Sequence, residues 1–372
     1  MSAKERAERK ARRAARGLPE PPDQRHLTAP AGEPTKPPGT PEDAIQRISR
    51  VAPEQEGMRL DRFLTTQLRA TSRTRAQLII RASAFTWEGR PMRSSDRMVA
   101  EQRVVLWRPP LEEEPPPSEL QTLAEDDQLL VVDKPPLMTV HPTARHHRHT
   151  VIKVLESERP GEYLSLVHRL DRETSGVLLI AKSREADRSF KIQLEERSLR
   201  AAQLAECDAP AEKPNKTYLA ITWGVPADGL VSEPLQDDPS PLRVKMRIVE
   251  RGQGLASRTG FQVLDQGAGY ALVRCELYTG RQHQIRVHLA HLGTPIVGDK
   301  LYGPDEIYLA KGADGLLTED DLRVLEMPRQ ALHAYQHSLY HPFRDEELEF
   351  TSPLPEDMVE FWRKKTGRAP AW

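Results

Sequence analysis

The amino-acid sequence predicts an α+β protein with two folded units, the second built on a mixed, largely antiparallel β-sheet. The chain has 372 residues, which exceeds the roughly 150 residues of an average domain. Helical and strand patterns follow one another without the strict strand–helix–strand rhythm of a parallel sheet. These observations favour a small unit of two helices and a few strands, followed by a larger unit that contains the sheet.

Composition and charge exclude several classes of protein. Lys and Arg total 54 and Asp and Glu total 55, and a net charge of −1 does not exclude a nucleic-acid partner. The longest strongly apolar run, residues 176–181, is far shorter than the ~20 residues of a membrane span. The charged N-terminus is unlike a secretory signal, and Cys207 and Cys275 form no disulfide framework. We therefore expect a cytoplasmic protein with no membrane partner.

Residues 1–53 are expected to form a disordered tail. Basic side chains dominate its beginning, and nine prolines follow between Pro19 and Pro53. Such a composition buries too little apolar surface to offset the entropy that the chain loses on folding. Two interpretations of this tail stay open, an arm that binds RNA and a solubilising extension.

The first folded unit is expected at residues 54–108. Leu60, Phe63 and Leu64 recur at helical spacing, and a second helical pattern and short strand patterns follow. Several arginines lie off the apolar positions, which suits contacts with phosphate groups, although they could also be merely solvated. The candidate RNA-binding residues are Arg59, Arg62, Arg73, Arg75 and Arg81.

A linker rich in proline and glutamate occupies residues 109–119. The second folded unit is expected at residues 120–355, and residues 356–372 are expected to form a C-terminal tail with a helix and basic side chains.

Four segments of the second unit have strand patterns. Residues 129–132 and 176–181 are apolar runs typical of buried strands. Residues 216–223 have Leu219 on one face and Tyr218 on the other, and residues 270–277 are a further strand candidate.

A polar loop before residues 176–181 contains the first candidate for chemistry. Asp171 lies between Arg169 and Arg172 in this loop. A nearby arginine keeps a carboxylate ionised even when it is partly desolvated, so that it can act as a nucleophile. An ordinary structural ion pair is the alternative, because such pairs also perturb pKa values.

The second candidate segment covers residues 279–293. Thr279 and Gln282 have the spacing of a capping box, which predicts a helix that begins there and carries Arg286. His283 and His288 are five residues apart and do not share a helix face, so the segment does not predict a metal site.

Two resemblances join these observations. The stretch GMRLDRFLTTQLRATSRTRAQ resembles an S4 RNA-binding domain. The stretches HRLDRETSG, NKTYLAITWG and TGRQHQIRVHLAHLGTPIVGDKLYG together resemble motifs of the RluA-type pseudouridine synthases, over about residues 120–355. The resemblance implies a small S4-like domain followed by a catalytic domain with a largely antiparallel sheet.

The resemblance also implies an activity and a set of catalytic residues. Asp171 would be the nucleophile, Arg169 would act from the same motif, Tyr218 would lie under a flipped base, and Arg286 would be the partner of the aspartate. The implied reaction isomerises uridine in RNA to pseudouridine. It involves no redox change and no external energy, so no cofactor and no metal are expected.

The implied substrate is structured RNA. The S4-like part favours large-subunit ribosomal RNA, with transfer RNA as an alternative, and a monomer is expected. A noncatalytic RNA-binding assembly factor is a second alternative, against which the presence of Asp171, Arg169, Tyr218 and Arg286 argues. A carboxylate-dependent nucleoside or glycoside hydrolase is a third, against which the arginine-rich small unit argues.

Overall fold

A computed structural model of the chain describes residues 33–42, 44–68, 71, 73–108, 119–143, 148–207, 209–239, 244–313 and 316–371. The chain divides into two compact units, Met1–Pro110 and Leu111–Trp372. Each unit has a hydrophobic core of its own. The linker predicted at residues 109–119 lies outside the described residues, except for Glu119.

The first unit packs two helices on a three-stranded antiparallel sheet with the strand order β1-β3-β2. Leu60, Phe63 and Leu64 are fully buried, as their helical spacing predicts. The elements are β1 (Ile45–Arg50), α1 (Leu60–Gln67), α2 (Arg73–Ser83), β2 (Ala84–Phe85) and β3 (Arg103–Arg108).

The prediction of a disordered tail up to residue 53 is wrong at its C-terminal end. Strand β1 lies within that range and pairs with β3 along its whole length, from Ile45 opposite Arg108 to Arg50 opposite Arg103. Further upstream, the Thr35 amide donates a hydrogen bond of 2.9 Å to a carbonyl of the first unit. The composition of the tail does not reveal β1, because a short strand forms its hydrogen bonds with a partner strand that is distant in sequence. Residues 1–32 lie outside the described part of the chain.

The second unit contains a ten-stranded sheet, which confirms the predicted mixed and largely antiparallel architecture. Its strand order is β4-β5-β7-β14-β8-β13-β12-β9, while β15 pairs with β14 and β6 pairs with β7. The strands are β4 (Gln121–Glu125), β5 (Leu129–Lys134), β6 (Ser165–Leu166), β7 (Ser175–Ala181), β8 (Lys216–Trp223), β9 (Gly229–Val231), β12 (Thr259–Gly267), β13 (Tyr270–Leu277), β14 (Leu332–His341) and β15 (Glu346–Thr351); β10 (Leu235–Asp237) and β11 (Met246–Ile248) form a separate hairpin.

The described residues of the second unit form six helices in addition to the sheets. They are α3 (Val151–Glu158), α4 (Arg184–Glu206), α5 (Gln284–His291), α6 (Ile307–Ala313), α7 (Glu319–Leu325) and α8 (Glu356–Thr366). Within the described part of the chain, every helix is too short or too polar to cross a membrane.

The prediction of a C-terminal tail after residue 355 is wrong, because helix α8 belongs to the main core. Its side chains Met358, Phe361 and Trp362 recur at helical spacing and are buried in that core. The basic residues that suggested a tail lie in its last turn. The catalytic unit therefore extends through α8.

Strands β7 and β14 form the one parallel pair among the paired strands described, and Gly176 makes their close approach possible. Ala334 of β14 lies opposite Gly176, which has a φ of +109°. A Cβ atom at this position would lie 2.2 Å from the Ala334 carbonyl oxygen. Any residue with a side chain would therefore separate the two strands directly after the polar loop that contains Asp171.

We predict that Gly176→Ala destabilises the second unit more than a matched glycine substitution does. Gly161 also has a positive φ, of +86°, but a Cβ atom there would meet open space. Gly161→Ala should therefore cost only the about 1–2 kcal/mol of left-handed backbone. Gly176→Ala should cost at least about 2 kcal/mol more, because backbone atoms of β14 must move. Urea denaturation of both variants measures this difference, and equal losses would contradict the role of Gly176.

Candidate active site

An ion pair joins the two candidate segments of the sequence. Asp171 lies in the loop that leads into β7, and Arg286 lies in the first turn of α5. The Arg286 Nη1 donates a hydrogen bond of 2.9 Å to the Asp171 Oδ2. The Asp171 side chain keeps 38% of its surface exposed, whereas that of Arg286 keeps 9%. The carboxylate is thus fixed from the interior and open on its outer side.

A second carboxylate, Asp299, holds Arg286 in this position. The Arg286 Nε and Nη2 donate to Asp299 at 2.7 and 2.8 Å. Asp299 is fully buried and also accepts hydrogen bonds from the backbone amides of Leu301 and Tyr302. The guanidinium therefore presents only its remaining nitrogen to Asp171. Sequence reasoning missed Asp299, although this residue lies in the long stretch quoted above.

Asp171, Arg286 and Asp299 form a triad of charges, and each charge affects the pKa of its neighbours. Burial acts to raise the pKa of Asp171, but the Arg286 guanidinium outweighs it and holds that pKa below its ordinary value. The same opposition lowers the pKa of Asp299. Burial would lower the pKa of Arg286, yet the two carboxylates raise it overall. Asp171 is consequently ionised at neutral pH.

His283 and Tyr302 line the other side of the triad. The Tyr302 hydroxyl accepts a hydrogen bond of 2.7 Å from the Met246 amide and lies 3.0 Å from the His283 Nδ1. The Tyr302 hydroxyl proton is available to Nδ1, and the His283 Nε2 lies 3.9 Å from the Asp171 Oδ2. Burial lowers the pKa of His283 to about 4, so the ring is neutral. The guanidinium carbon of Arg286 lies 5.1 Å from the centre of the Tyr302 ring.

The capping box predicted for Thr279 and Gln282 is wrong. Helix α5 begins at Gln284, after His283 in a left-handed conformation with a φ of +56°. The Thr279 hydroxyl instead donates a hydrogen bond of 2.7 Å to the Gln284 side chain. The turn that this bond stabilises brings His283 towards Asp171.

Tyr218 lies in the middle of β8 and is buried. Its strand neighbours are Cys275 of β13 and Ala334 of β14. Burial, reinforced by the charge of Asp171, raises the pKa of the Tyr218 phenol well above its ordinary value. Asp171 is thus close enough for its charge to act on the phenol, which stays protonated at neutral pH.

Arg169, the fourth predicted catalytic residue, differs from the other three. Its side chain is exposed and makes no hydrogen bond or ion pair with the residues that the structure describes. It lies two residues before Asp171, and its guanidinium is free to contact a polyanion.

Two buried lysines, Lys134 and Lys300, anchor the loop around Asp171. The Lys134 Nζ donates to the carbonyl oxygens of Pro135, Met138 and Arg172, at 2.8, 2.8 and 3.2 Å. Three acceptors match the three donors of an ammonium group, although burial lowers the pKa of Lys134 to about 7.

The residue after Arg172 is anchored as well. The Glu173 carboxylate accepts a hydrogen bond of 2.6 Å from Lys300 and one of 3.0 Å from the Gln330 amide. Both neighbours of Asp171 on its C-terminal side are therefore tied to other segments of the second unit.

The arginines of the first unit fall into two groups. Arg59 and Arg73 donate to the carboxylate of Asp61, which is fully buried. Arg62, Arg75 and Arg81 are exposed. Arg59 and Arg73 are therefore part of the local structure, whatever they contact outside it. Among the described residues, no three His, Cys, Asp or Glu side chains are grouped so that they could hold a metal ion.

Comparisons with known proteins identify the family. A family model described as RNA pseudouridylate synthase matches residues 128–291. An uncharacterized RNA pseudouridine synthase of Chloroflexus aurantiacus is 35% identical over 343 residues, which cover 88% of this chain and 96% of that protein. Ribosomal large subunit pseudouridine synthases D of Neisseria meningitidis and Pseudomonas aeruginosa are 33% and 32% identical. These alignments cover 84% and 85% of this chain, and 80% and 95% of those proteins.

The chain belongs to the RluA-type RNA pseudouridine synthases, which confirms the resemblance found in its sequence. It is therefore an isomerase that acts on uridine in RNA.

We predict that Asp299→Asn lowers the rate of pseudouridine formation about 10²-fold, because Arg286 loses its charged anchor and Asp171 is no longer held in place. The free energy of unfolding and the affinity for RNA should change much less. Asp265→Asn is the matched control, since Asp265 also accepts two hydrogen bonds from an arginine, Arg368, but on the surface. Single-turnover assays measure both rates, and equal rates for the two variants would show that Asp299 does not position the site.

Proposed function

We propose that this enzyme converts specific uridines of large-subunit ribosomal RNA to pseudouridine, with Asp171 as the nucleophile. The observation that carries the proposal is the triad in which buried Arg286, fixed by Asp299, keeps a partly exposed Asp171 ionised. The choice of ribosomal RNA is supported by the relatives named as ribosomal large subunit pseudouridine synthases. We also propose that the enzyme is a cytoplasmic monomer.

The reaction places a clear demand on Asp171. The C1′–N1 bond breaks, the base rotates, and C5 forms a new bond to C1′. C5 then loses its proton, and N1 gains one. Asp171 either attacks C1′ or promotes elimination at the sugar, and both routes need an ionised carboxylate that substrate can reach. The exposed side of Asp171 and the low pKa caused by Arg286 meet that need.

Tyr218 is proposed to stack on the uracil ring after the nucleotide has left the RNA stack. Its position beside Asp171 supports this contact, since the base and the sugar carbon of one nucleotide must reach both side chains. The raised pKa makes Tyr218 a hydrogen-bond donor and a poor general base at neutral pH. Arg169 is proposed to contact the RNA backbone next to the flipped nucleotide, since its guanidinium is exposed.

The first unit is proposed to be an S4-like RNA-binding domain. The exposed Arg62, Arg75 and Arg81 suit contacts with phosphate groups, which add affinity without sequence preference. Arg59 and Arg73 also lie at this surface, but their bonds to Asp61 give them a structural task.

The central prediction concerns the uridines that this enzyme modifies. Deletion of the gene should remove pseudouridine at defined positions of large-subunit ribosomal RNA, and the wild-type gene should restore it. Asp171→Asn should not restore it, because the amide is no nucleophile and the rate should fall at least about 10⁴-fold. Asp187→Asn, which disrupts a surface pair with Lys191, should restore it fully. Pseudouridine mapping of total RNA measures all four strains, and marks lost only from transfer RNA would refute the proposed target.

A separate prediction tests the first unit. Arg62→Gln should weaken RNA binding and lower the slope of log Kd against log salt by about 0.7–0.9, the value for one phosphate contact. Arg62 is exposed, so its replacement should leave the free energy of unfolding unchanged. Arg73→Gln should instead destabilise the unit, because Asp61 loses a partner. Binding isotherms at several salt concentrations decide, and an unchanged slope for Arg62→Gln would remove this residue from the interface.

A further inference from the structure

A pocket adjoins the two segments that form the active site. It has a volume of about 230 Å³ and is bounded by His168, Ser198, Asn215, Lys216 and Gly280, among others. His168 lies three residues before Asp171, and Gly280 begins the turn that leads to α5 and Arg286. The pocket therefore lies at the base of both catalytic segments.

Lys216 brings an unpaired cation to this pocket. It is the first residue of β8 and lies two residues before Tyr218, so both side chains lie on the same face of the strand. Its ammonium group makes no hydrogen bond or ion pair with any residue for which the structure gives a position. Burial lowers its pKa to about 8, and no carboxylate acts against that effect.

Three other cations near the active site, unlike Lys216 and the exposed Arg169, are already neutralised or fully hydrogen-bonded. Arg286 lies between two carboxylates, Lys300 pairs with Glu173, and Lys134 donates to three carbonyl oxygens. Lys216 is different, because nothing in its surroundings compensates its desolvation. A partly buried cation without a partner loses hydration that a ligand of opposite charge would compensate.

The groups that surround Lys216 are neutral or form no ion pair with it. His337 is buried and His168 is partly buried beside it, and desolvation holds the pKa of each imidazole well below its ordinary value. The His168 Nδ1 and both nitrogens of His337 have no hydrogen-bond partner within the described ranges. Glu195 also borders the pocket, but it forms no ion pair with Lys216.

Two neutral donors complete the pocket. Neither the side-chain amide of Asn215 nor the hydroxyl of Ser198 makes a hydrogen bond with another described residue. An ammonium group, an amide and a hydroxyl around one cavity are the donors that an oxyanion requires.

We propose that this pocket binds a phosphate group of the RNA substrate, with Lys216 as its charged ligand. RNA is the polyanion that the enzyme must hold, and its phosphates are matched by a cation that has no hydrogen-bond or ion-pair partner among the described residues. Residues two apart on a strand are separated by about 7 Å. Lys216 can therefore reach a phosphate next to the nucleotide whose base stacks on Tyr218. The location of this phosphate rests on the proposed roles of Tyr218 and Asp171.

The test compares Lys216→Met, Lys216→Arg and wild type. The probe is large-subunit ribosomal RNA from cells that lack the gene, and Kd is measured at several salt concentrations. Lys216→Met should raise Kd about tenfold and lower the slope of log Kd against log salt by about 0.7. Lys216→Arg should recover both values, because it restores the charge. Lys153→Met, which removes an exposed lysine paired with Glu156, should leave both unchanged.

Two results would overturn the proposal. An unchanged salt slope for Lys216→Met would show that no phosphate is bound there. A loss of the single-turnover rate at saturating RNA with an unchanged Kd would place Lys216 in the chemistry instead.

Thermal unfolding shows whether the Met variant is folded. If it is not, the comparison of pH 7 with pH 9 decides, since wild type should lose the contact as Lys216 deprotonates and Lys216→Arg should not.

The two proposals can fail separately. Binding isotherms report the phosphate contact even if the probe RNA gains no pseudouridine, which would contradict only the proposed target. Measuring the isotherms in the Asp171→Asn background removes any influence of turnover on Kd.

Discussion

The double ion pair of Arg286 is the interaction on which the rest of the active site depends. A buried guanidinium must satisfy its donors within the protein, and Asp299 takes two of its nitrogens before Asp171 receives the third. Asp171, Arg286 and Asp299 together carry one more negative than positive charge. Asp171 is the partly exposed member of this group. Asp171 is thus held in one orientation while one side of its carboxylate remains available to substrate.

The sheet supplies the rigid frame for this arrangement. The parallel pairing of β7 and β14 ends the loop of Asp171 at a defined place, and Gly176 permits the contact. Lys134 and Glu173 then bind the loop to three further segments through charged hydrogen bonds. Loops are normally the most mobile parts of a fold. The backbone of this loop is instead fixed by the hydrogen bonds of Lys134 and Glu173.

Regular patterns made much of this fold predictable. Residues 216–223 and 270–277 form strands with the predicted bounds, and both segments are rich in apolar residues that the structure buries. Asp171 and Arg286 were recognised from their motifs, and the structure brings them together. Asp299, His283 and Tyr302 could not be recognised, because isolated polar residues in turns have no periodicity and their partners are distant in sequence. Strand β1 and the buried face of α8 were missed because the composition of a whole segment conceals a short element within it.

The burial of Trp362 in α8 has a consequence for the order of events during synthesis. The main core of the second unit joins strands near residue 130 to a side chain more than two hundred residues later. A nascent chain that has released Asp171 from the ribosome still lacks Arg286, β14 and α8. Catalytic competence therefore arises only when nearly the whole polypeptide has left the ribosome, since contacts so distant in sequence form late. A truncated translation product would retain the arginine-rich first unit without a complete catalytic core.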